Sequence, residues 1–184
     1  MFFLVKKLTK NLAVDPKDYG PNLTETIKRK LVAEVENTCS ERHGFILKVF
    51  NIDVDRLEGK IMSTGMNPGG TANFTVPYDA IVFKPFRGEV LNGIVKQSAQ
   101  QGLFVLCGPL QVFIAKTNLC DENNRLIWNP DNSPPCWMSD DQRTIIKDGS
   151  HLRVRIIGVR MSPDMTNSSA VGTILDDYLG PLDS

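Results

Sequence analysis

Gly102-Leu-Phe-Val-Leu-Cys107 and, after a Gly-Pro turn, Leu110-Gln-Val-Phe-Ile-Ala-Lys116 form the stretch on which the fold turns. Both runs are rich in β-branched, aromatic and aliphatic residues, as strands are. Successive side chains of a strand point to opposite faces, so Leu103 and Val105 face one way and Phe104 the other. Val112 and Ile114 oppose Phe113 in the same manner. The pattern extends upstream through Gly88-Glu-Val-Leu-Asn-Gly-Ile-Val-Lys96. Downstream, in Leu152-Arg-Val-Arg-Ile-Ile-Gly-Val159, the apolar Leu152, Val154 and Ile156 alternate with Arg153 and Arg155. Ala170-Val-Gly-Thr-Ile-Leu175 offers a last strand to close a small barrel.

These runs predict an all-β barrel of the OB-fold kind over residues 83–184. Its oily side chains fill the interior, and Phe104 and Phe113 stand outside. Exposed rings beside cations on a barrel wall stack the bases of single-stranded nucleic acid. The candidate RNA-binding residues are therefore Phe104 and Phe113 for stacking, with Lys96, Lys116, Arg153 and Arg155 to track phosphates. Alternation leaves a second reading open, in which the rings pack beneath a neighbouring segment. Residues 121–148 are such a segment, an insertion with Asn-Pro, Pro134-Pro135, Trp128 and Trp137. Its prolines exclude a central strand there.

Residues 1–82 read as an α+β domain. Phe2 to Leu8 is a strand, and Asp15 to Pro21 a turn or short helical entry. Leu23, Ile27, Leu31 and Val35 recur every four residues and predict a helix over about 22–37. Asn22, with Glu25 three residues on, fits a capping box. Phe45 to Ile52 and Ala80 to Phe83 are strands. Lys60-Ile-Met-Ser and Phe74-Thr-Val-Pro-Tyr read as hairpin arms around a glycine-rich tip. Met62, Met66 and Phe74 near that tip suggest a docking surface.

The chain has 184 residues, enough for one large domain or two small ones. With 21 basic and 21 acidic residues its net charge is zero. A stand-alone, tight nucleic-acid binder usually carries a basic excess, so neutrality favours weak, auxiliary contact or binding within a larger machine. The four cysteines have no CxxC spacing and there are two histidines, so no metal site is expected. Met1-Phe-Phe-Leu-Val is too short for a signal or membrane segment. No GxSxG, HExxH or P-loop pattern occurs, and the adjacent pairs Asp140-Asp141 and Asp176-Asp177 diverge rather than form a dyad. Neither catalysis nor a cofactor is expected. A free RNA-binding factor of translation or mRNA decay is compatible with these residues.

Further stretches are Tyr19-Gly-Pro-Asn-Leu, Glu34-Val-Glu-Asn-Thr-Cys, Tyr78-Asp-Ala-Ile-Val-Phe-Lys-Pro-Phe-Arg-Gly-Glu-Val, Asn129-Pro-Asp-Asn-Ser-Pro-Pro-Cys and Asp176-Asp-Tyr-Leu-Gly. In these the chain resembles, in order and over nearly its full length, the larger stalk subunits of RNA polymerases. That family comprises the seventh subunit of eukaryotic RNA polymerase II and its counterpart in the archaeal RNA polymerase. The Pro-Pro-Cys segment and the acidic tail resemble the polymerase II member more than stalk subunits of other nuclear polymerases. The resemblance implies an N-terminal truncated RNP-like tip domain followed by the OB barrel. It implies pairing with a smaller, helical stalk subunit, docking on the polymerase core near the clamp, contact with nascent single-stranded RNA, and a nuclear location away from membranes. By position it puts Gly59, Ile61, Met62, Thr64 and Gly65 in the docking hairpin. It aligns Gln101, Phe104 and Phe113 with stacking positions. Gln101 is not aromatic, which implies weaker RNA affinity. Asn67-Pro-Gly-Gly lengthens the tip loop relative to the family pattern.

Overall fold

Residues 1–40, 42–54, 57–61, 70–120, 125–140, 144–162 and 168–182 are described by the structure, a computed structural model. The chain forms two compact units, residues 2–84 and residues 85–184 together with Met1.

In the first unit, β1 (Phe2–Val14) is followed by a 3-10 turn at Pro16–Asp18 and helix α1 (Leu23–Val35). Then come β2 (Thr38–Ser40), β3 (Gly44–Phe50), β4 (Glu58–Ile61) and β5 (Ala72–Phe83). The sheet runs β1-β5-β3-β2, with β4 pairing β5 beyond β3. Ile27, Leu31 and Val35 are buried as their four-residue spacing predicts. They pack with Leu12, Val14, Val49, Val76 and Val82 of the sheet into one core. The expected capping box is absent. Asn22 sits at φ −96°, ψ 13° and makes no side-chain cap hydrogen bond. An N-cap side chain reaches the first-turn amides from an extended backbone, which this is not.

β1 is longer than expected because a bulge lets it continue. Its register against β5 shifts between Val5 and Leu8, and Lys7 takes φ 59°. Asp79 holds the distortion. Its carboxylate accepts the Lys7 amide N–H at 2.9 Å and the Asn51 side-chain amide at 3.2 Å. The Lys7 bond, then the Asn51 bond, hold the Asp79 carboxyl below its ordinary pKa.

The second unit contains β6 (Val90–Ala99), β7 (Gly102–Cys107), β8 (Leu110–Ala115), β9 (Leu126–Asn129), β10 (Cys136–Ser139), β11 (Ile145–Ile146), β12 (His151–Arg160), β13 (Ser169–Thr173) and β14 (Gly180–Pro181). The order β13-β8-β7-β6-β12, with β12 also pairing β13, closes a five-stranded barrel. β8 and β13 run parallel, whereas the other barrel pairs are antiparallel. This is the OB arrangement. Leu103, Val105, Val112, Ile114, Leu152, Val154 and Ile156 are all buried, so the odd-even reading assigns the interior as expected.

The insertion is itself a sheet. β9, β10 and β11 form an antiparallel three-strand layer that sequence reading missed. Its prolines lie between β9 and β10 rather than inside a strand, which reconciles them with the sheet. Trp137, 1% exposed, donates its indole N–H to the Ala99 carbonyl at 3.1 Å. The Ser98 amide donates to Asp148 at 2.7 Å, so the middle strand of the layer and the segment after β11 are both tied to the end of β6.

Candidate nucleic-acid interface

Antiparallel pairing sets Phe104 of β7 directly opposite Phe113 of β8. Directly opposed residues share a face, and here that face is the barrel exterior. The two rings touch, with centroids 4.9 Å apart and planes inclined at 41°. Both remain half-buried. Trp128 and Trp137 of the insertion pair with each other at 5.5 Å, and among the described residues no ring contact joins them to the phenylalanines.

Gly102 makes the approach of β7 to β8 possible. At φ +150°, a β-carbon there would lie 2.1 Å from the Ile114 carbonyl oxygen.

Pairing extends the ring pair into a cross-strand row. Gln97 of β6 lies opposite Phe104, and Val171 of β13 lies opposite Phe113. A parallel row carries Ile94, Leu106, Gln111 and Ser169. Ile94, Leu106 and Val171 are 47%, 37% and 43% exposed. The wall is therefore largely apolar, with the Gln97 and Gln111 amides set into it and Arg160, opposite Ser169, at one end. Sequence reading missed Gln97 and Gln111. Gln111 has the same parity as Phe113 and was legible in principle. Gln97 was not, because a bulge between Val95 and Gln97 breaks the alternation.

Of the four cations expected around the rings, the two lysines flank the ring-bearing strands and the two arginines do not. Lys96 is the extra residue of that bulge and is exposed, and Lys116 follows β8 in a short 3-10 turn, also exposed. Arg153 and Arg155 lie on β12, whose barrel neighbours are β6 and β13. One strand thus separates them from β7 on one side and from β8 on the other. Their side chains are also engaged. Arg153 donates to Asn92 at 3.2 Å, and Arg155 meets Asp176 at 2.9 Å.

Of the hairpin residues, Gly59 and Ile61 lie on β4, and Met62, Thr64 and Gly65 lie outside the described residues. Gly59 pairs with Phe74 and Ile61 with Ala72. Ile61 is 72% exposed, a large apolar side chain without cover in its unit. Among the described residues no group of histidine, cysteine and carboxylate side chains is arranged to hold a metal ion.

Residues 9–65 match the family model "SHS2 domain found in N terminus of Rpb7p/Rpc25p/MJ0397". Over 181 residues, 98% of this chain and 99% of the relative, the chain is 36% identical to DNA-directed RNA polymerase II subunit RPB7 of Saccharomyces cerevisiae. It is 38% identical to the protein of that name in Dictyostelium discoideum, with 98% of each chain covered. DNA-directed RNA polymerase V subunit 7 of Arabidopsis thaliana is more distant, at 26% identity over 85% of each chain.

Proposed function

The chain belongs to the family of RNA polymerase II subunit RPB7, and we propose that it acts as a non-catalytic stalk subunit of the nuclear enzyme. It pairs with a smaller, helical subunit and docks on the polymerase core near the clamp through the β4–β5 hairpin of its first unit. Its barrel offers emerging single-stranded RNA a sequence-tolerant path. The observation that carries the RNA part is the outward ring pair, Phe104 on Phe113, on the wall of a closed five-stranded barrel. Stacking one base on an aromatic ring contributes roughly 1–3 kcal/mol. Zero net charge suits an auxiliary contact, because the assembly rather than this chain supplies the local concentration. The exposed Ile61 supports the docking role of the hairpin, since large uncovered apolar groups mark binding surfaces.

Purification of a tagged copy from nuclei tests the assembly part. Stoichiometric elution with the large catalytic chains and a smaller helical partner is expected. Elution of the chain alone contradicts it and favours a free RNA-binding factor. An Ile61→Lys copy should enter the assembly at a fraction of the wild-type level while keeping its melting temperature.

A further inference from the structure

We propose that the ring wall grips RNA through base faces and base edges rather than through phosphates, and that Gln97 and Gln111 discriminate between bases. This deepens the RNA-contact reading above and rests on it.

Three observations converge. First, the rings have few cationic companions. Among the described residues Lys96 and Lys116 flank their strands and the exposed Arg160 lies opposite Ser169 at the end of the second row, whereas Arg153 and Arg155 sit on β12, engaged with Asn92 and Asp176. Second, the wall around the rings is apolar: Ile94, Leu106 and Val171 stand uncovered on it, a surface that takes the faces of bases rather than phosphates. Third, the side-chain amides are free. Neither that of Gln97 nor that of Gln111 has a hydrogen-bond partner among the described residues. Gln97 lies directly across from Phe104, and Gln111 stands two residues before Phe113 on the same face of β8. A base stacked on this pair brings its edge toward an amide that both donates and accepts.

The amide geometry selects a base. A glutamine accepts from the adenine N6 amino group and donates to N7, a bidentate match. Binding is thus strongest for adenine-rich single strands. It also depends weakly on salt. Lys96, Lys116 and Arg160 release at most three counterions, which for a single strand gives a slope of log K against log salt no steeper than about −2.1.

The full chain is titrated against fluorescein-labelled rA12, rC12 and rU12 at several KCl concentrations by fluorescence anisotropy. The expected result is a slope between zero and about −2.1 with rA12 bound tightest. Phe104→Leu should weaken all three about tenfold. Gln97→Met with Gln111→Met, which keep side-chain length, should weaken rA12 until the spread among the three falls below about twofold. A slope of about −3 or steeper with wild-type protein leaves RNA contact standing but moves it to phosphates, and overturns this inference. An unchanged preference for rA12 in the glutamine variants also overturns it. No binding of any oligomer at the lowest salt overturns the RNA-contact reading itself, and this inference with it.

Discussion

Replacing Gly102 by alanine should damage the barrel far more than the same change at Gly108, six residues along. Both glycines have positive φ, +150° and +64°. At Gly108 nothing lies within 4 Å of an added β-carbon, so the only cost is the left-handed backbone, roughly 1–2 kcal/mol for a residue with a side chain. At Gly102 the new carbon sits 2.1 Å from the Ile114 carbonyl oxygen and 3.1 Å from the Ala115 α-carbon. Both obstacles are backbone of β8 and cannot rotate away. The β7–β8 ladder must open, and two or three hydrogen bonds there weaken at about 1 kcal/mol each. With the unfavourable φ included, the total is about 3–5 kcal/mol. For a unit of about 100 residues, 1 kcal/mol shifts the midpoint by roughly 4–8 °C. Gly102→Ala should therefore lower the barrel's midpoint by about 12–40 °C, and Gly108→Ala by about 4–16 °C. Differential scanning calorimetry of the three proteins side by side decides it. Equal shifts for the two variants refute the close approach that aligns Phe104 with Phe113.

Trp137→Phe strands the half-buried Ala99 carbonyl that the indole N–H satisfies, and should cost about 1 kcal/mol in urea unfolding. Asp79, held below its ordinary 3.8 by the Lys7 and Asn51 hydrogen bonds, contributes stability above that pH and loses it as acid protonates the folded carboxyl. Wild-type protein should therefore lose stability below about pH 4 more steeply than Asp79→Asn, measured by urea titration across pH 2–6. Burial pushes the Cys107 thiol up to about 11, from 9.0 when unperturbed. Between those values the unfolded thiol ionises first, so stability falls as pH rises through that window, and Cys107→Ser should flatten the decline. Iodoacetamide at pH 8 should leave Cys107 unmodified in the native protein.

The barrel was legible because its interior positions obey a period of two within each strand, from Leu103 to Cys107, from Leu110 to Ile114 and from Leu152 to Ile156. Helix α1 was legible from Ile27, Leu31 and Val35 for the same kind of reason. What escaped were features that break periodicity. The bulge at Lys96 flips the parity of Gln97, and the bulge at Lys6 and Lys7 let β1 run on to Val14. β9 to β11 are two to four residues long, too short for a period to show beside so many prolines. The separation of Arg153 and Arg155 from the rings is a matter of strand order. Alternation tells whether a side chain faces out, not which neighbour it faces out beside. Strand order comes from the long-range pairing of β12 with β6 and β13, which no local pattern encodes.

The account turns on whether the outward ring pair touches the transcript in the working enzyme. Polymerase assembled with tagged wild-type chain, or with Phe104→Leu plus Phe113→Leu, is stalled on a template and its nascent RNA is photocrosslinked through 4-thiouridine. The account predicts a crosslink from this chain that falls at least about tenfold in the double variant, at equal occupancy of the chain in the enzyme. An equal yield from both enzymes would make the pair a packing contact and move the RNA path elsewhere.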